Sequence, residues 1–172
     1  MRHRWISESM TLGGQVVGQI IVFMLILSFA LPAAPTAHKT APHRRTAKVK
    51  LRDSARKGAA GVVYKEADWT DELRAGDCGQ KPGALYIGSD GSLYWDAVTY
   101  TYHTHSGDIW HAAFKLQDQN QVDLASTGNH DSPRMNDSNG NGPPPRYEWN
   151  ASDTYDGTKF FRLVYTVEYY QC

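Results

Sequence analysis

Residues 84–116 read ALYIGSDGSLYWDAVTYTYHTHSGDIWHAAFKL, and the alternation in this stretch decides the fold class. Leu85 and Ile87 precede a Ser89-Asp90-Gly91 turn, and Leu93 and Trp95 follow it in the same phase, which is a hairpin signature. The spacing predicts a second hairpin. There Val98, Tyr100 and Tyr102 share a face, Ser106-Gly107-Asp108 turns the chain, and Trp110, Ala112, Phe114 and Leu116 return. A three-residue loop would pair Tyr102 with Ala112 and Tyr100 with Phe114, keeping the bulky side chains on one face.

Outward from this region the same period recurs. Phe161, Leu163, Tyr165, Val167 and Tyr169 alternate with Arg162, Thr166, Glu168 and Tyr170, which predicts a last strand with the first set in the core and the second set wetter. Shorter strands are expected at 122–126 and 146–150, with a long polar loop over 127–145 between them. The helix signal is confined to 66–73, where Asp68 could cap a short turn. Many short strands with close turns and almost no helix predict an all-β domain, a small antiparallel β-sandwich or barrel.

The chain is formally neutral, but its parts are not. Residues 1–61 carry ten Lys/Arg against Glu8 and Asp53, or +8, whereas residues 62–172 carry eight against sixteen acids, or −8. Arg2, His3 and Arg4 lead into an apolar stretch over 16–31, the order of a secretory signal, so residues 1–37 are expected to be a signal peptide. An uncleaved membrane anchor is the competing reading. Residues 38–61 are rich in Lys, Arg, Ala, Thr and Pro and are expected to be a basic disordered linker or propeptide. The acidic β-rich domain then spans 62–172. The only cysteines, Cys78 and Cys172, bracket most of it, and in a chain bound for an oxidising compartment they are expected to form one disulfide.

Gly76-Asp77-Cys78, Ser89-Asp90-Gly91 with Trp95, Asp108-x-Trp110, Ser132-Pro133-Arg134-Met135, Trp149, Phe160-Phe161 and the terminal Cys172 resemble the pattern of an exported actinobacterial domain family of unknown function. The resemblance covers roughly residues 76–172. It implies export, a disulfide and a β-rich fold, and it brings no catalytic residue with it.

Several constellations could carry chemistry. The predicted second hairpin would set His103 opposite His111 and place His105 on the same strand face, a three-imidazole set of the sort that zinc takes. Histidines on the wet face of a hairpin more commonly just pair with polar neighbours. Asp137-x-Asn139-x-Asn141-Gly142, followed by five residues and Glu148, fits the spacing of a calcium loop. Pro143-Pro144-Pro145 forbids the exiting helix of such a loop, and an ordinary flexible loop has the same composition. Among the aromatic residues, Trp95, Trp110, Tyr100 and Phe114 fall on the predicted core face. Tyr94, Tyr147, Tyr155 and Tyr170 are the candidates for an exposed partner-binding patch.

No nucleophile elbow is present and both thiols are expected in the disulfide, so no catalytic residue is nominated. A domain at −8 argues against nucleic acid as partner, since phosphate contacts supply most of that affinity. The expectation is a secreted, extracellular, non-catalytic β domain that binds an unidentified protein or glycan, with Ca2+ or Zn2+ as the conceivable cofactors. A membrane enters only if the leader is retained. The alternatives are a metal-dependent hydrolase built on the histidines and a purely structural exported protein.

Overall fold

The computed structural model describes residues 44–59, 61–137 and 142–172. All of them fall within one compact unit that spans 39–172. The expected signal peptide over 1–37 lies outside the described residues, and among the described ones no helix is long and apolar enough to cross a membrane.

Two antiparallel sheets face each other. The first runs in the order β1 (Arg45–Lys50), β11 (Tyr165–Gln171), β7 (His111–Gln117) and β8 (Asp123–Ser126), with β9 (His130–Asp131) also beside β7. The second runs β10 (Tyr147–Thr154), β6 (Ser92–Thr101), β5 (Cys78–Gly88), β3 (Tyr64–Trp69) and β2 (Arg52–Asp53), with β4 (Leu73–Ala75) beside β5. This is the expected all-β class in its sandwich form.

The core lies between the sheets. Trp69 and Trp95 from the second sheet meet edge to face at 5.3 Å, and the Phe114 ring of the first sheet lies 4.7 Å from Trp95. Trp110 stacks on Tyr170 at 5.1 Å. Trp95, Trp110 and Phe114 are buried between the sheets, as their phase predicts, whereas Tyr100 is buried on the outer side of β6, in the phase of Asp96 and Val98, against Glu72 and Arg146. Burying each such ring contributes on the order of 2–3 kcal/mol, which is why the large residues fix the strand phase.

The first hairpin has the predicted register, with Leu85 opposite Trp95 and Ile87 opposite Leu93. Its three-residue loop ends on Gly91, whose φ of +87° only glycine adopts cheaply.

Four expectations are corrected. The second hairpin does not form, because both edges of β6 are already occupied, by β5 and β10, while β7 pairs with β11, β8 and β9. Tyr100 and Phe114 therefore belong to opposite sheets; the alternation holds for Trp110 to Leu116, but Val98 and Tyr100 take the outer phase of Asp96 while Thr99 and Thr101 point inward. The last strand is also shorter than expected. A 3-10 helix, Gly157–Arg162, capped by the Asp156 side chain on Thr158 N, withdraws the two phenylalanines and resets the phase. Thr166, Glu168 and Tyr170 consequently point inward, and Phe161 is 82% exposed.

The short helical turn at 66–73 is instead the strand β3 followed by β4, because Ala67 and Trp69 alternate into the core. Finally, residues 45–53, expected to be disordered linker, form β1 and β2. Ala47, Val49 and Leu51 alternate with outward Lys48 and Lys50, a period-two pattern masked by the high Lys/Arg content. The folded unit therefore starts well before residue 62. Over 44–172 fifteen Lys/Arg face seventeen acids, so its balance is −2 and not −8.

The disulfide joins Cys78 at the start of β5 to Cys172 just after β11, tying the two sheets together across 94 residues with Cα atoms 6.1 Å apart. The chain-entropy model assigns such a closure about 4–5 kcal/mol. The double variant Cys78→Ser/Cys172→Ser is therefore expected to lose stability of about that size in urea denaturation. A loss below about 1 kcal/mol would contradict this role.

Candidate functional site

Among the described residues the three histidines do not come together. His103 and His105 lie in the segment between β6 and β7, and His111 on β7 holds Asp131 of β9 with Nδ1 at 2.6 Å from Oδ1. Since β6 and β7 belong to different sheets, the cross-strand register that would converge the three rings does not exist. Among the described residues the ligand atoms of Cys78, Asp108 and Cys172 do lie within 4.8 Å of one another, but both sulfurs are spent in the disulfide.

In the candidate calcium loop, Asp137 accepts a hydrogen bond from Thr104 N at 3.0 Å, and Glu148 is an outward residue of β10 opposite Val98. Asn139 and Asn141 lie outside the described residues. Of the four tyrosines, Tyr94 is 37% exposed, whereas Tyr170 is buried against Trp110. The Tyr147 hydroxyl accepts from Asn136 N, and Tyr155 donates to Gly88 O at 2.7 Å. Burial, then the nearby Asp90 and Asp156 charges, drive the Tyr155 hydroxyl well above its ordinary pKa. Tyr147, Tyr155 and Tyr170 are thus engaged in structure, which leaves Tyr94 as the exposed member.

A different feature emerges on the outer face of the second sheet. Cross-strand register places Asp68, Ala84, Asp96 and Asn150 in one row over four strands, with Val98 and Glu148 in the next. A β-bulge between Gln80 and Gly83 breaks the plane beside Pro82. Together these residues line an open cleft of about 700 Å³. Its floor is largely apolar, with Ala84, Val98 and Pro82, and its rim is acidic.

The carboxylates differ in their commitments. Asp68 is held by Arg52, which also reaches Glu66 at 2.5 Å. Asp96 and Glu148 make no hydrogen bond or ion pair among the described residues. Beyond one end of the cleft the Arg56 guanidinium covers the rings of Tyr86 and Tyr94, at 4.8 and 5.0 Å. Toward the other end, Tyr100 and Tyr102 donate to Glu72 at 2.7 and 3.2 Å, and Arg74 pairs with it at 2.9 Å. Partial burial alone would raise the Glu72 pKa, but these bonds outweigh it and hold the carboxyl below its ordinary value. Charged and aromatic side chains at both ends are therefore locked, and Asp96 and Glu148 stand open between them.

One further carboxylate was expected on a wetter face and is not there. Glu168 is fully buried between the sheets, and Gln80 Nε2 donates to its Oε2 at 3.2 Å. Burial pushes its pKa up to about 8, and the Gln80 hydrogen bond offsets this only in part. The cleft gave no sequence signal, because its members meet only through the register of four strands. Glu168 was misplaced because the 3-10 helix shifts the phase before β11.

Residues 84–172 match the model of a family described as a family of unknown function (DUF6294). The match runs from within β5 to the second cysteine, so β1 to β4 and Cys78 lie outside it. No curated protein and no solved structure matches the chain.

The raised pKa of Glu168 sets a sign for stability against pH. An acid whose folded pKa lies above its unfolded value contributes fully below the unfolded pKa of 4.5 and loses that contribution as pH rises through about 8. Wild type is therefore expected to lose stability between those limits, and Glu168→Gln is expected to flatten that decline. Urea midpoints at intervals from acid to mildly alkaline pH check it, and parallel curves for the two proteins would contradict it.

Proposed function

We propose, for a chain that belongs to the DUF6294 family of unknown function, that it is an exported, non-catalytic binding module whose partner lies in the cleft on the outer face of the second sheet. The observation that carries this reading is the pair Asp96 and Glu148, two carboxylates without a partner among the described residues, on adjacent strands at the edge of an apolar-floored cleft. Export is supported by the charge-then-apolar order of residues 1–37 and by the disulfide, which suits an oxidising compartment.

The chemistry of the cleft selects its occupant. An apolar floor takes the methylene stem of a Lys or Arg side chain, while the acidic rim meets the cationic head. The partner is accordingly an extracellular protein that presents Lys or Arg on an exposed segment. Because the carboxylates stand on strands, little ordering is needed when the partner arrives. The hydrolase reading on His103, His105 and His111 loses the geometry on which it stood.

The test is a 15N NMR titration of the full chain with oligolysine and oligoarginine peptides, with a neutral peptide and a chito-oligosaccharide as controls. Amide shifts are expected at Ala84, Asp96–Val98 and Glu148–Asn150. Asp96→Asn/Glu148→Gln is expected to weaken binding roughly tenfold, with an unchanged melting temperature. Shifts confined to other surfaces, or equal affinity in the variant, would overturn the reading, and preferential binding of the oligosaccharide would move the partner to a glycan.

A further inference from the structure

The outer face of the first sheet has the opposite character. Register directs Lys48 and Lys50 of β1 outward beside Val167 and Tyr165 of β11, and Lys115 of β7 lies on the other side of Val167. Arg44 and Lys115 sit over the Tyr169 ring at 4.8 and 5.5 Å, and Lys48 sits over Tyr165 at 4.4 Å. The acids on this face stand away from β1 and are engaged: Asp123 holds Lys115 at 2.5 Å and Asp131 holds His111 at 2.6 Å. Arg44, Lys48 and Lys50 form no ion pair among the described residues.

Three observations narrow what such a face can hold. Its cations do not converge on one point but follow an edge strand, with outward positions roughly 7 Å apart. Exposed single pairs of charges contribute little, so only a ligand that engages several at once binds appreciably. The Tyr165 and Tyr169 rings are already covered by cations, so the face offers charge rather than free platforms for stacked bases. Among the described residues the large exposed apolar side chains are Val63, Tyr94, Val122 and Phe161, none of them on β1, β11 or β7, so nothing on this face would insert into a bilayer.

We propose that the outer face of the first sheet is a docking surface for a linear phosphodiester polymer without bases, of the polyol-phosphate kind, gripped by the row Arg44, Lys48 and Lys50. The phosphates lie along β1, each released counterion adding to affinity, while the Tyr169 and Tyr165 rings hold Arg44 and Lys48. The near-neutral charge balance over residues 44–172 obscures this surface.

Fluorescence anisotropy of the full chain against labelled poly(glycerol phosphate) tests the proposal, at about 50 mM and about 200 mM salt. Binding at low salt is expected, weakened at least tenfold at the higher concentration. Lys48→Glu/Lys50→Glu is expected to lose at least tenfold in affinity. The milder Lys48→Gln, which leaves the strand pattern intact, is expected to lose roughly threefold. Asp96→Asn/Glu148→Gln is expected to bind the polymer as wild type does, which separates this surface from the cleft. Absence of binding at low salt, equal affinity in Lys48→Gln, or tighter binding of oligothymidylate or of anionic phospholipid vesicles would each overturn it.

Discussion

The contact between Trp95 and Phe114 across the interior governs the rest of the structure. These rings come from different sheets, and with Trp69 they form one cluster in which each ring packs on the other two. For all three to point inward, β3, β6 and β7 must each hold a fixed phase, and a slip of one residue in any of them would carry a large ring to the surface. Once the phase is set inside, it is set outside as well. The acidic row on one outer face and the cationic row on the other follow from the same alternation that fills the core.

That coupling explains what could be read from residues alone. The alternation of Leu85, Ile87, Leu93 and Trp95 carried its own turn, so both the strands and their pairing were legible. The alternation around Phe114 carried the correct inward direction but not the neighbour, because side-chain period is silent about which strand lies beside it, and the bulk of Tyr100 masked its sharing the outward phase of Asp96. β1 was hidden by composition. Its inward residues are Ala47 and Val49, too small to announce a strand among so many cations. In β11 the local rule failed at a helix that interrupts the period, and it cost the placement of Glu168.

The fold also changes what the charges mean. As a linear tally the chain is a basic head and an acidic tail that cancel. Folded, the early basic strand is built into the same sandwich as the acidic residues and forms an edge of the first sheet, so a nearly neutral body carries a cationic row along that edge and open carboxylates in the cleft of the second sheet. Long-range steering would orient such a body rather than simply attract or repel it, with one face turned to cationic and the other to anionic surroundings. The buried Glu168 belongs to neither face. It lies in the seam between the sheets, beside Gln80, where an uncharged carboxyl is compatible with close packing and a charged one is not.

The placement of the disulfide divides the chain into unequal territories. Every strand from β5 to β11, and the whole of the family-matched region, lies inside the covalent ring closed by Cys78 and Cys172. A protease that cuts once within that ring, for instance in the polar loop between β9 and β10, leaves both pieces tethered, able to keep or regain their pairing. β1 to β4 lie outside the ring and are held by hydrogen bonds and packing alone. A single cut shortly before Cys78 would therefore make β1 to β4 detachable together, and the molecule would lose its cationic edge strand, and Asp68 with β3, while keeping its covalent frame.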